Sequence, residues 1–355
     1  MRPHGADIWM YGAAPDTIID FSSNINPLGP PPGTETIAAD TIRQIRYYPE
    51  PDAVSLVDML ADKHSLSTGN ILTGNGSVEL IYRFAEAFDI KRALVVVPVF
   101  TEYEQALSVN SIVINRFYLS ECEGFKIDFD KLINAAEDAD AVFLCNPNNP
   151  TGLAADKNGL NDLLCYCERK SVFLFVDEAF AEFSACEYEV SMLSRIPESR
   201  SLIVLRSMTK IYAVAGLRLG YLCADSGSIK IIKEKMFPWN INIFAQAVGK
   251  YLTTQDDFVR RSREYISSER RRFAGELSRI SSLSVFDSDV NFVLCRLTGD
   301  RIRSAGELKQ KLLRYNILIR DCSDFTGLSD EFFRLAVRTE DENDLLIKIL
   351  KEYLL

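Results

Sequence analysis

The chain has 355 residues, 47% of them hydrophobic and 25% charged, and a formal net charge of −10. That length exceeds one small core and suits a large domain with a smaller partner, and the composition is that of an ordinary globular protein. The acidic balance argues against a nucleic-acid partner, because no basic excess is available to neutralise phosphates.

Residues 1–35 are rich in Pro, Gly and Asn and read as an extended arm. Helix-like and strand-like segments then alternate. Short apolar runs at 93–97, 112–114, 141–144, 172–176, 202–205 and 219–223 suit buried parallel strands. Amphipathic stretches of helical length, such as 78–88 and 160–169, lie between several of them. This alternation predicts an α/β domain with a mostly parallel sheet. After about residue 250 the texture changes. A long charged helix over 256–280 leads to strands at 284–286, 291–297, 317–319 and 333–337, with helices at 305–315 and 341–353. The expected organisation is an N-terminal arm with part of a small domain over 1–45, a large α/β domain over 46–250, and a small α+β domain over 251–355. Two arginine clusters, Arg260-Arg261-Ser262-Arg263 and Arg270-Arg271-Arg272, have glutamates interleaved and read as solvated helix faces.

The eight cysteines include no C-x-x-C pair, and His4 and His64 are far from any of them in sequence, so no metal site is expected. No signal-peptide pattern is present, and the longest apolar runs fall short of a membrane span. The expectation is a cytoplasmic protein without a membrane partner.

Ligands of open α/β sheets sit beyond the carboxyl ends of the strands, so the segments there carry the chemistry. The first is Thr73-Gly74-Asn75-Gly76-Ser77-Val78-Glu79, small residues opening a helix whose free N–H groups suit an anion. Alone it is equally an ordinary turn with a helix cap. The second, Cys145-Asn146-Pro147-Asn148-Asn149-Pro150-Thr151-Gly152, holds more asparagines than a turn needs. The third places Asp177 directly after an apolar run, where a carboxylate is costly unless it meets a cation or strong donor, or caps a helix. The fourth, Arg206-Ser207-Met208-Thr209-Lys210, offers a lysine whose amine becomes nucleophilic if burial and neighbouring positive charge lower its pKa; a surface lysine is the bland alternative. Together the four match what pyridoxal 5'-phosphate requires. It needs a lysine for its aldehyde, an acid at its ring nitrogen, a donor to its phenolic oxygen and anion contacts for its phosphate.

On these motifs the chain resembles the fold-type-I pyridoxal-phosphate enzymes (aspartate-aminotransferase-like), within them the branch of histidinol-phosphate aminotransferase. The resemblance implies that Lys210 is the Schiff-base lysine and Asp177 the partner of the pyridine nitrogen. It gives Asn149 to the phenolic oxygen, Gly76, Ser77, Ser207 and Arg218 to the cofactor-phosphate site, and Val78 to the cofactor more generally. Tyr48 would reach the phosphate site of the other subunit, which implies a homodimer, and Arg334 would grip the substrate carboxylate by a two-point fork. Finer features resemble a decarboxylating group within that branch. They are His4-Gly5, the 21–31 segment, Ile319-Arg320-Asp321-Cys322-Ser323-Asp324-Phe325, and Arg334-Leu335-Ala336-Val337-Arg338. Phe180 stands where aminotransferases usually have a tyrosine, and Arg338 where they usually have a glycine. The implied substrate is an amino acid O-phosphate, foremost L-threonine O-3-phosphate, with cobalamin synthesis as the setting. Phosphoserine decarboxylation and histidinol-phosphate transamination are the alternatives. Arg320, His4 and Asn24 would hold the substrate phosphate, and Arg338 is a further candidate for substrate contact.

Overall fold

A computed structural model describes residues 7–11 and 17–355; His4 lies outside them. In chain order the regular elements begin with β1 (Ile19–Asp20), α1 (Thr34–Thr41), α2 (Val54–His64), β2 (Ile71–Asn75), α3 (Ser77–Ala87), β3 (Arg92–Val97), α4 (Glu102–Val109) and β4 (Val113–Tyr118). They continue with α5 (Phe129–Ala135), β5 (Ala141–Cys145), α6 (Lys157–Lys170), β6 (Phe173–Asp177), α7 (Glu187–Val190), β7 (Leu202–Ser207), α8 (Met208–Ile211), β8 (Leu219–Cys223) and α9 (Ser226–Lys233). The last third holds α10 (Ile243–Thr253), α11 (Asp256–Leu277), β9 (Leu283–Val285), β10 (Phe292–Leu297), α12 (Ala305–Leu313), β11 (Ile317–Leu318), β12 (Arg320–Asp321), β13 (Phe332–Ala336) and α13 (Glu340–Leu354).

Seven strands form the large sheet in the order β2-β8-β7-β6-β5-β3-β4. Strands β4, β3, β5, β6 and β7 run parallel, and β8 is antiparallel to both β7 and β2. The apolar runs are legible because both faces of this sheet are covered. Every residue of β5 is buried, and Leu174, Phe175 and Val176 of β6 are fully enclosed. Strand β8, expected among the parallel strands, is instead antiparallel to both neighbours, and a second segment also differs from the sequence reading. Thr73-Gly74-Asn75 belongs to edge strand β2 rather than to a loop, since only Ile71 and Leu72 are strongly apolar and the run is too short to announce a strand. Helix boundaries follow local chemistry. The Asp156 carboxylate accepts from the Gly159 N–H to open α6, and Thr339 with Glu342 forms a capping box that opens α13.

A four-stranded antiparallel sheet, β12-β13-β10-β9, is built from the last third of the chain. The N-terminal segment forms a separate two-stranded sheet and reaches β13 by a backbone hydrogen bond. Strand β1 pairs in parallel with β11, and the Ala336 N–H donates to the Phe21 carbonyl. The same segment reaches the large sheet, because the Asn26 N–H donates to the Lys210 carbonyl and its side-chain amide to Ile211. Residues 20–26 therefore run between β13 and the turn that carries Lys210. Among the described residues, no helix is long and apolar enough to cross a membrane.

Candidate active site

The carboxyl ends of β5, β6 and β7 meet a cavity of about 400 Å³, closed on its far side by β12 and β13. Asp177, the last residue of β6, sits in register with Cys145 on β5 and Leu205 on β7. Lys210 follows β7 on the short helix α8. Both side chains line the cavity, together with Asn149, Ser207, Arg218 and the start of α3 at Ser77 and Val78. From the other wall come Asn24, Arg320 and Arg334. Four segments far apart in sequence thus converge on one space.

Lys210 is half-buried, and desolvation, helped by the Arg334 and Arg218 guanidiniums, lowers its pKa to about 8. A substantial fraction of the amine is then neutral and nucleophilic near neutral pH. Burial pushes the Asp177 carboxyl in the opposite direction, upward. That push is countered by the Tyr103 hydroxyl, which donates to Oδ2 at 2.6 Å, by the Ala179 N–H, which donates to Oδ1 at 2.9 Å, and by the Lys210 charge.

The anion cradle depends on one glycine. Gly76 has φ +79°, and a Cβ there would lie 2.3 Å from Arg218 Nη2. Only a residue without a side chain lets that guanidinium cross beside the α3 N-terminus. Ser207 adds a hydroxyl, held 2.7 Å from Thr209 Oγ1.

On the opposite wall, Arg334 Nη1 donates to Asn149 Oδ1, and Nη2 donates to the Ser22 carbonyl at 2.8 Å. Its Nε is buried without a hydrogen-bond partner among the described residues. Arg320 is also buried, with Nη2 placed 2.8 Å from both carboxylate oxygens of Asp324 and its guanidinium over the Phe325 ring. Asn24 is buried, and its Oδ1 has no hydrogen-bond partner among the described residues. Four basic side chains against two acids, Asp177 and Glu102, make the lining a receptor for anions.

Three of the named candidates among the described residues do not line the cavity: Gly76, which acts only through the space it leaves for Arg218, Arg338 and Tyr48. Arg338 lies beyond the end of β13 and pairs with Glu342 of α13 at 2.9 Å, so the structure does not place it among the cavity walls. Tyr48 is 80% exposed and packs against Trp239 at a ring separation of 4.8 Å, away from the cavity of its own chain. Sequence reasoning missed Tyr103, Ser22, Ser23, Phe100 and Thr209. Tyr103 has the spacing of an ordinary core residue on α4, and only its hydroxyl sets it apart. Phe180 lines the cavity edge-to-face with Phe292, with a ring separation of 5.1 Å.

This arrangement is that of a family. The chain belongs to the class I and II aminotransferases, whose family model matches residues 16–350. Within that family it is similar to the threonine-phosphate decarboxylase of Salmonella typhimurium, 33% identical over 356 residues, covering 99% of this chain and 96% of the relative. Among solved structures, the L-threonine-O-3-phosphate decarboxylase of Porphyromonas gingivalis has a TM-score of 0.85 at 30% identity, covering 94% of this chain and 98% of that one. The histidinol-phosphate aminotransferase of Clostridium acetobutylicum has a TM-score of 0.87 at 32% identity, with the same coverage.

The donor set fits pyridoxal 5'-phosphate, the cofactor implied by the family. A half-buried amine with a lowered pKa, a buried carboxylate across the same cavity, and a glycine-dependent arginine and helix-end cradle are the three features this group needs. The Asn149 amide, whose oxygen is taken by Arg334, would have its Nδ2 donor to offer such a group.

Proposed function

We propose that this chain is a pyridoxal-phosphate-dependent decarboxylase of an amino acid O-phosphate. Its substrate is L-threonine O-3-phosphate and its product (R)-1-amino-2-propanol O-2-phosphate, in cobalamin biosynthesis. The observation that carries this reading is the pair of buried guanidiniums, Arg320 and Arg334, on the wall facing the strand ends that carry Asp177 and Lys210. A substrate with two anionic groups gives each guanidinium a partner. The names of the Salmonella and Porphyromonas relatives support it.

When bound through Lys210, the cofactor supplies an electron sink for the pair left on the α-carbon as carbon dioxide departs. The protein's side chains do the rest. Asp177 keeps a proton on the ring nitrogen. Asn149 donates to the ring oxygen, Gly76, Ser77, Ser207 and Arg218 hold the cofactor phosphate, and Val78 lines the cofactor site. Arg334 holds the substrate carboxylate, with Nε as its buried unpartnered donor. Arg320 and Asn24 hold the substrate phosphate. Two fixed anchors set the rotation about the α-carbon, and that rotation decides which bond aligns for breaking. Lys210, once released, stands ready to return a proton to the same carbon.

The same reading includes a homodimer, supported by the exposed Tyr48 and Trp239 pair, with Tyr48 completing the partner's phosphate site. It divides the chain into an arm with part of the small domain (1–45), a cofactor-binding domain (46–250) and a small domain (251–355). The pairing of β1 with β11 supports that division. Eight free cysteines suit the reducing cytoplasm.

Histidinol-phosphate transamination is the second reading, favoured by the likeness to the Clostridium enzyme. Phosphoserine decarboxylation differs by one methyl group, worth about 1–3 kcal/mol of discrimination. Incubation of the holoenzyme with L-threonine O-3-phosphate, with no keto acid present, separates them. Sustained carbon dioxide release over many turnovers is expected. A single half-turnover rescued by 2-oxoglutarate would make the protein an aminotransferase, and faster turnover of phosphoserine would reassign the substrate.

A further inference from the structure

The strand-end acid Asp177 has a support that its sequence neighbourhood does not show. Tyr103 lies 74 positions upstream on α4 and is fully enclosed. Its ring packs among Phe100, Phe143 and Phe175, which leaves the hydroxyl no freedom to turn toward water. From that fixed place it donates to Asp177 Oδ2 at 2.6 Å, a short charge-assisted bond. The Ala179 N–H takes the other oxygen, so both carboxylate oxygens are held and the carboxylate cannot rotate.

We propose that Tyr103 is a positioning residue for the cofactor: its hydroxyl fixes the Asp177 carboxylate and keeps it ionised, so that a free lone pair of Oδ2 faces the cavity and retains the proton of the ring nitrogen. The inference rests on the assignment of Asp177 to that nitrogen. The groups that face Asp177 are few. Tyr103 comes from α4, the Cys145 thiol from β5, Lys210 from α8 and the Ala179 N–H from the turn after β6. Burial and Asp177 both push the Tyr103 phenol up, so it remains a donor. Burial likewise keeps the Cys145 thiol neutral. Tyr103 and Ala179 are thus the neutral donors that oppose the cost of an ionised carboxylate in this place, alongside the charge of Lys210.

Tyr103→Phe keeps the ring and its packing and removes only the donor. Three proteins, wild type, Tyr103→Phe and Asp177→Asn, are compared by titrating pyridoxal phosphate into each apoprotein across pH. For Tyr103→Phe the dissociation constant is expected to rise roughly tenfold, the size of one charge-assisted hydrogen bond. The acid limb of the binding profile should move upward, because a carboxylate that has lost a donor protonates more easily. Global replacement of tyrosine by 3-fluorotyrosine, a stronger donor, should move that limb downward, and this holds even if the phenylalanine variant fails to fold. Wild-type affinity and an unmoved acid limb in Tyr103→Phe, with Asp177→Asn strongly impaired, would overturn the inference alone. Wild-type binding by Asp177→Asn would instead overturn the assignment of Asp177.

Discussion

Arg320 and Arg334 are directly partnered residues on the antiparallel strands β12 and β13, so their side chains leave the same face of the small sheet toward one cavity. Their surroundings differ. Arg320 carries its own counter-ion, with both Asp324 oxygens 2.8 Å from Nη2, whereas the hydrogen-bond acceptors of Arg334 are the neutral Asn149 amide and Ser22 carbonyl. Burial, with a further push from Arg320, lowers the Arg334 pKa to about 10. Two like charges held this close to one cavity favour a ligand with two anionic groups.

Separate losses should follow from removing each arginine. Arg334→Ala should lower kcat/KM for L-threonine O-3-phosphate and affinity for L-threonine alike, by roughly a hundredfold, since a buried charge-pair partner is lost in both. Arg320→Ala should weaken the phosphorylated ligand by a similar factor and leave L-threonine binding nearly unchanged. Calorimetric titration of both ligands into both variants tests the division. Equal losses in Arg320→Ala would remove it from the phosphate site.

The lowered pKa of Lys210 sets a pH dependence for cofactor capture. Only the neutral amine attacks the aldehyde, so the rate of loading should rise with pH and level off above about 8. Arg218 and Arg334 each hold the amine in its neutral form. Arg334→Met should therefore shift the profile toward higher pH, seen as slower growth of the yellow colour at pH 7 with a smaller deficit at pH 9. A shift toward lower pH would contradict the charge argument. Lys210→Ala should abolish that colour altogether.

Arg338 yields a prediction of little effect. Its pairing with Glu342 is a partly exposed contact within one turn of chain, a type worth about 0–1 kcal/mol. Arg338→Ala should leave KM for the phosphorylated substrate within about twofold of wild type. A large rise would restore it to the substrate site and imply that α13 rearranges on binding.

The contrast between Arg338 and Lys210 shows what the sequence could convey. Lys210 and Asp177 follow apolar runs that suit buried strands, so their place at the carboxyl edge of a sheet is legible in the sequence. Arg338 is a candidate from sequence because it stands where related aminotransferases usually have a glycine, an outward-facing strand residue being the alternative. Strand β13 ends at Ala336, however, and the chain turns into α13, where Glu342 takes the guanidinium. Tyr103 and Asp324 stayed hidden for another reason. Each acts through one contact, across 74 positions for Tyr103 with Asp177, and within a turn of irregular chain for Asp324 with Arg320. Neither contact leaves a trace in hydrophobic periodicity.

Behind the strands that carry Asp177 and Ser207 lies a buried charge cluster built from the alternate residues of the same strand ends. Arg206 is fully buried, its Nε 3.0 Å from Glu178 and its Nη1 3.0 Å from Glu182 and 2.9 Å from Glu187, while Nη2 donates to Ser191 Oγ. Arg263 on α11 adds a second cation to Glu187 at 3.1 Å. Replacing Arg206 with Met leaves Glu178 buried without its cation and should cost about 3–5 kcal/mol. Glu182 gives the cluster a pH signature. Burial raises its pKa from 4.5 to about 7, so between those values the folded state holds a proton that the unfolded chain releases. Its stabilising contribution is therefore complete below about pH 4.5 and lost as the pH rises through about 7. Relative to Glu182→Gln, the wild type should lose thermal stability across that window. Parallel melting curves of the two proteins at half-unit pH steps would show a widening gap, and a constant gap would mean that Glu182 stays ionised throughout, held by Arg206.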